Sequence, residues 1–148
     1  MTPVFIFSLP RSGSTLLQRI IAAHEQVSTA AEPWFLLPFF YARRENGIST
    51  EYNQLLSAKA LQDFFDRLPA GDKDYQITLR SFALQLYQQA AGKEATHFVD
   101  KTPRYSLVAN EVIQTFPDAK FIFLWRNPLA VTASILKTFG VSEQWNLH

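Results

Sequence analysis

Three cations, Arg11, Lys101 and Arg126, each stand just past a short apolar run, where a parallel sheet would gather them. The first lies in Ser8-Leu9-Pro10-Arg11-Ser12-Gly13-Ser14-Thr15. That stretch follows Val4-Phe5-Ile6-Phe7 and opens the amphipathic run Leu16-Leu17-Gln18-Arg19-Ile20-Ile21. A strand, a small-residue turn and a helix N-terminus make an anion site, because free backbone N–H groups and the positive end of the helix dipole point into the turn. In register with the phosphate-binding pattern G-x-x-x-x-G-K-[ST], the chain keeps Gly13 and Thr15. It has Ser8 for the first glycine and Ser14 for the lysine, and its cation has moved forward to Arg11. A loop shaped for a diphosphate-like group but lacking that lysine points away from ATP hydrolysis.

The second stretch runs Phe121-Ile122-Phe123-Leu124-Trp125-Arg126-Asn127-Pro128. A buried-type strand ends in a cation, Asn127 is placed to cap a helix, and Pro128 takes the first helical position. Ser134, eight residues past Arg126, falls somewhat over one turn into that helix. A third segment, Asp100-Lys101-Thr102-Pro103, follows another strand-like run, and Glu32-Pro33 follows a fourth.

The elements that must hold these residues alternate. A strand over residues 3–8 leads to a helix ending near residue 24, and a short strand over 27–31 precedes an aromatic-rich helical region from Trp34. Two helical segments follow. Leu55, Leu56, Ala60, Leu61, Phe64, Phe65 and Leu68 have helical spacing, and Leu79, Phe82, Ala83, Leu86, Tyr87 and Ala90 repeat it. A strand at 96–100, a helix at 105–115, a strand at 120–125 and a helix at 129–139 complete the chain. The alternation predicts an α/β fold with right-handed crossovers and a parallel sheet. Ligands in such sheets bind at the carboxyl ends of the strands, which places Arg11, Lys101 and Arg126 on one edge.

Composition narrows the classes. At 148 residues the chain is expected to form one domain, and 47% hydrophobic residues argue against disorder. A net charge of +1, from 14 basic and 13 acidic residues, gives no reason to expect nucleic acid or an anionic membrane. With no cysteine there is neither a disulfide framework nor thiolate chemistry. The first residues lack a basic region, and Pro10-Arg11 cuts the apolar run well short of a signal core, so a cytoplasmic protein is expected. His24, His97 and His148 read as structural or terminal. The aromatic run Trp34 to Tyr41 reads as core in preference to an acceptor pocket.

Taken together, the motifs resemble those of sulfotransferases that use 3′-phosphoadenosine 5′-phosphosulfate (PAPS), over residues 3 to about 140. In that family P-R-S-G-[ST]-T holds the 5′-phosphosulfate, matched here by Arg11, Ser12, Gly13, Ser14 and Thr15. R-[ND]-P with a serine eight residues after the arginine holds the 3′-phosphate, matched by Arg126 and Ser134. The resemblance implies a P-loop-like three-layer αβα fold and PAPS as co-substrate, with no metal expected. The reaction it implies is sulfuryl transfer to a hydroxyl or amine of a small-molecule, carbohydrate or peptide acceptor. Asp100-Lys101-Thr102-Pro103 is similar to the [DE]-K-[ST]-P segment of the carbohydrate and tyrosylprotein branches, where the lysine contacts the transferring group. The phenol and steroid branch instead carries a histidine base where this chain has Pro103. The base role therefore falls to Glu32, 21 residues after Arg11 and placed like the base of the tyrosylprotein branch. As a base, Glu32 would need its pKa raised by partial burial; as a structural residue it would be a helix N-terminal carboxylate. Catalytic roles are thus expected for Glu32, Lys101 and Arg11.

Family members continue well beyond the second motif, so the chain is expected to correspond to an N-terminal portion, with self-association expected at uncovered surfaces. Two other readings stay open: a P-loop-type nucleotide kinase, and a non-catalytic nucleotide-binding remnant.

Overall fold

The computed structural model describes residues 1–139 of the chain, so His148 lies outside the described residues. Four strands, β1 (Thr2–Ser8), β2 (Val27–Thr29), β3 (His97–Asp100) and β4 (Lys120–Leu124), form one sheet in the order β2-β3-β1-β4. Every pairing is parallel: Val4 lies opposite Val99 on one side of β1 and opposite Lys120 on the other. The chain therefore builds the expected α/β sheet, with helices on both faces in a P-loop-like arrangement.

β1 is buried on both faces, and its alternation divides the core in two. Val4 and Ile6 pack with Val99 beneath Leu17 and Ile21 of α1 (Ser14–Ile21). Phe5 and Phe7 face the other way, against α2 (Leu36–Tyr41), α4 (Asp72–Ala91) and α5 (Ala109–Thr115). Leu79, Ala83 and Tyr87, at helical spacing, form the buried stripe of α4. Phe5 is wholly buried among Tyr87, Tyr105, Phe116 and Phe121. Truncating such a side chain to alanine costs about 3–5 kcal/mol.

Four elements differ, wholly or in part, from the sequence reading. The second strand ends at Thr29, short of residue 31. The helix expected over 105–115 is a 3₁₀ turn, Pro103–Val108, followed by α5, because Pro103 starts the segment without a backbone donor. α3 (Gln54–Phe65) forms as expected, yet only Ala58 and Phe65 of its apolar residues are buried while Leu55, Leu56 and Phe64 remain exposed. β4 is an edge strand, not a buried one: Phe123 is 64% exposed, and Trp125, just beyond the strand, is 88% exposed. α6 (Pro128–Phe139) follows, and its start is capped by the Asn127 side chain, which accepts from Leu129 N–H at 2.9 Å. Among the described residues no helix is long and apolar enough to cross a membrane.

Candidate functional site

The carboxyl ends of β1, β3 and β4 point to one edge of the sheet, and Arg11, Lys101 and Arg126 follow them there. The turn after β1 is a left-handed one. Arg11 has φ +65° and Gly13 φ +92°. Nothing would obstruct a Cβ at Gly13, so the glycine is needed for its backbone angle and not for room. Gly13 leads directly into α1, whose start carries no side-chain cap and whose first turn carries no acidic residue. Its first N–H groups are left for an anion. Ser12 and Ser14 are buried within the turn, while Arg11 and Thr15 are exposed.

Arg126 and Ser134 come from β4's end and from α6, and both reach this turn. Arg126 donates from Nη1 to the Arg11 carbonyl at 2.7 Å, and Arg11 donates from Nε to Ser134 Oγ at 3.2 Å. Arg11, Gly13, Ser14, Thr15, Arg126 and Ser134 line one cavity of about 240 Å³. Among the described residues neither guanidinium pairs with a carboxylate. Two adjacent, uncompensated guanidiniums at a helix N-terminus favour a ligand with more than one negative group.

Glu32 and Lys101 occupy a neighbouring cleft of about 550 Å³, lined also by Thr15, Gln18, Arg19 and Ala31; Thr15 belongs to both spaces. Lys101 is not the solvated strand-end lysine its position allowed. Its side chain is 3% exposed, and its ammonium donates to Glu32 Oε1 at 2.5 Å. A buried cation requires such a partner. The other Glu32 oxygen, Oε2, accepts from the indole Nε1 of Trp34 at 3.1 Å. Partial burial works to raise the Glu32 carboxyl, but the hydrogen bonds from Lys101 and Trp34 and the Lys101 charge outweigh it, so the group is held below its ordinary value. This is the reverse of the direction expected for a base at rest.

Asp100, beside Lys101 in sequence, points the other way into the core. It is fully buried, accepts from the Tyr87 hydroxyl at 2.6 Å and from the Thr102 hydroxyl at 3.0 Å, and burial pushes it up to about 6 against those hydrogen bonds. It anchors the strand end and does not open to the cleft.

Sequence reasoning missed Gln18. Buried on α1, its side-chain amide lies within hydrogen-bonding distance of Thr29 Oγ1 (2.7 Å) and the carbonyls of Ala30 (2.6 Å) and Ala31 (3.3 Å). It ties the segment leading to Glu32 onto the helix that carries the loop. A buried glutamine on an otherwise apolar helix face is the signal that could have found it. The aromatic run is core as expected, since Leu36 and Phe40 are buried and Phe35 and Phe39 pack edge-on against Phe82. Trp34, beside Glu32, is the exception.

Comparison with known proteins places this geometry. The model of the Sulfotransferase family matches residues 3–147. The chain is 34% identical over 140 residues to nodulation protein NoeE of Sinorhizobium fredii, covering 93% of this chain and 32% of that protein. It is 26% identical over 136 residues to a protein-tyrosine sulfotransferase of Drosophila melanogaster, covering 92% of this chain and 25% of that protein. An uncharacterized protein of Aquifex aeolicus is 32% identical over 138 residues, with 16% of its length covered. The chain thus spans about a third or less of the length of these curated relatives.

Proposed function

The chain belongs to the sulfotransferase family, and from that premise we propose that it transfers a sulfuryl group from PAPS to a hydroxyl or amine on a carbohydrate, peptide or small-molecule acceptor. The observation that carries this reading is the convergence of Arg11, Arg126 and Ser134 on one cavity, joined through Thr15 to the cleft of Glu32 and Lys101.

The residues fit the donor's chemistry. PAPS supplies an activated sulfuryl group on a 5′-phosphate and a second phosphate at the 3′ position. The Arg11 guanidinium, the Ser12, Ser14 and Thr15 hydroxyls and the open N–H groups of the turn suit the first anion. Arg126 and Ser134 suit the second. Lys101 neutralises charge developing at the bond that breaks, a role for positioned cations in transfers of this type. Glu32 takes the proton of the acceptor. Each of its oxygens holds one protein donor and keeps a lone pair for an acceptor O–H. When Lys101 engages a competing anion, the strongest contact keeping Glu32 ionised weakens and the carboxylate becomes more basic, so the base is strengthened only in the loaded site. The kinase alternative loses support because the buried Ser14 stands where its lysine would be. The expected cytoplasmic location belongs to the same proposal.

The test is calorimetry with adenosine 3′,5′-bisphosphate and ADP, followed by transfer of labelled sulfuryl from PAPS to sugar and tyrosyl-peptide acceptors. Tighter binding of the 3′,5′-bisphosphate together with labelled product supports the proposal. Equal affinity for the two nucleotides would sink it.

A further inference from the structure

We infer that Thr102 and Trp34 are positioning residues for the Glu32–Lys101 pair, forming with Asp100 and Tyr87 a hydrogen-bonded strut from the core to the Glu32 carboxylate. The inference rests on the reading of Glu32 as the base, and adds what holds it in place.

Trp34 has φ +58°, a left-handed and strained backbone that a bulky residue rarely adopts. Its backbone N–H donates to Thr102 Oγ1 at 3.3 Å, and two residues on, Leu36 N–H donates to the Tyr105 hydroxyl at 3.3 Å. Both amides at the entry to α2 are thus received by hydroxyls from the segment after β3. While Asp100 is ionised the direction of the chain is fixed. Thr102 has one hydroxyl proton and gives it to Asp100 Oδ1, so its lone pairs face the Trp34 amide, while Tyr87 gives its proton to Asp100 Oδ2. Tyr87 is 2% exposed and Asp100 and Thr102 are wholly buried, so the base of the strut lies in the core.

The far end of the strut is the indole N–H, which holds Glu32 Oε2 at 3.1 Å while Lys101 holds Oε1. A tryptophan that served only packing would gain nothing from this backbone. Trp34 is 46% exposed, and water would satisfy its indole without strain. The strained turn makes sense as a means of aiming the indole at Glu32. The carboxylate is then gripped at both oxygens, by groups from before α2 and after β3. The other charged side chain lining this cleft among the described residues is Arg19 of α1.

Titration by NMR tests the strut on the full chain, with glutamate carboxyl ¹³C and tryptophan indole ¹⁵N labels assigned through Glu32→Gln and Trp34→Phe. In the unsubstituted protein the Trp34 indole resonance is expected to move with the Glu32 midpoint. Trp34→Phe should shift that midpoint upward with little change in Tm. Thr102→Val should shift it upward and uncouple the indole, and Thr102→Ser should restore both. An unchanged Glu32 midpoint in folded Trp34→Phe overturns the inference, as does wild-type coupling in Thr102→Val. If Thr102→Val does not fold, Trp34→Phe decides alone. These titrations need neither sulfuryl donor nor acceptor, so their outcome is separate from that of the proposed reaction.

Discussion

Arg126 donates from its guanidinium to the backbone carbonyl of Arg11 across 2.7 Å, so the cation that follows β4 braces the loop that follows β1. The two motifs are one structure. Arg126 braces the left-handed backbone at Arg11, and the role proposed for it adds a charge offered to the ligand.

Arg126→Ala should therefore lose more than a single charge contact. Removing a hydrogen-bonded charge partner costs about 2–5 kcal/mol, and for this exposed group the low end, about 30-fold in affinity, applies. The preference for adenosine 3′,5′-bisphosphate over ADP should largely vanish, with Ser134→Ala giving a smaller loss. Calorimetry on both variants checks this; a preference that survives Arg126→Ala removes Arg126 from the site.

Glu32 and Arg11 should separate kinetically. Glu32→Gln is expected to lower turnover about 10²–10⁴-fold with little change in nucleotide affinity, the pattern of a lost general base. Arg11→Ala should weaken nucleotide binding as well as turnover. Steady-state rates of labelled sulfuryl transfer, paired with calorimetry, distinguish the two. Normal turnover in Glu32→Gln alongside an inactive Asp100→Asn would assign the proton to the wrong carboxylate.

Asp100 predicts a pH dependence of stability. Burial raises its folded value to about 6, above the roughly 4 of an unfolded aspartate. The folded state then binds the proton more tightly, so this group's contribution favours folding below about pH 4 and is lost as pH rises through about 6. The window corresponds to roughly 2–3 kcal/mol. Urea midpoints at pH 4.5 and 7.5 should differ more for the unsubstituted chain than for Asp100→Asn. Identical differences in the two proteins would show that Asp100 does not titrate in this window.

The surface at β4 should be adhesive. This edge strand carries the exposed Phe123, and Trp125 and Leu129 beside it are exposed as well. Unpaired edges and contiguous apolar surface promote association. The 148-residue chain is expected to self-associate with rising concentration, and Phe123→Lys with Trp125→Lys should suppress this in light scattering. A monodisperse monomer at all concentrations would count against it.

What the sequence revealed was mostly local. The alternation of Val4 to Phe7, the stripe of Leu79, Ala83 and Tyr87 and the Asn127 cap each follow from a few neighbouring residues, and the motif spacing brought Arg11, Arg126 and Ser134 to one loop. The pairing of Lys101 with Glu32 joins residues 69 apart, and no local pattern shows that a strand-end lysine turns inward. Nor does an apolar run such as Phe121-Ile122-Phe123-Leu124 say whether its strand lies inside a sheet or at its edge. The direction of the Glu32 shift was missed largely for the same reason: it depends on Lys101, brought from 69 residues away, and on Trp34, a near neighbour aimed at the other oxygen by its left-handed backbone.

The strand order gives the site a polarity. Lys101, Arg11 and Arg126 follow β3, β1 and β4, three adjacent strands, so the strand ends that carry them stand as marks on a ruler about 10 Å long, two strand spacings. On the proposed reading, a ligand with two unequal anionic ends brings its reacting end to the Glu32 carboxylate at one mark only. Entered backwards, it offers the base the wrong end. The order of the three marks is thus written into the hydrogen-bonded ladder itself, which no exchange of a surface side chain can rearrange.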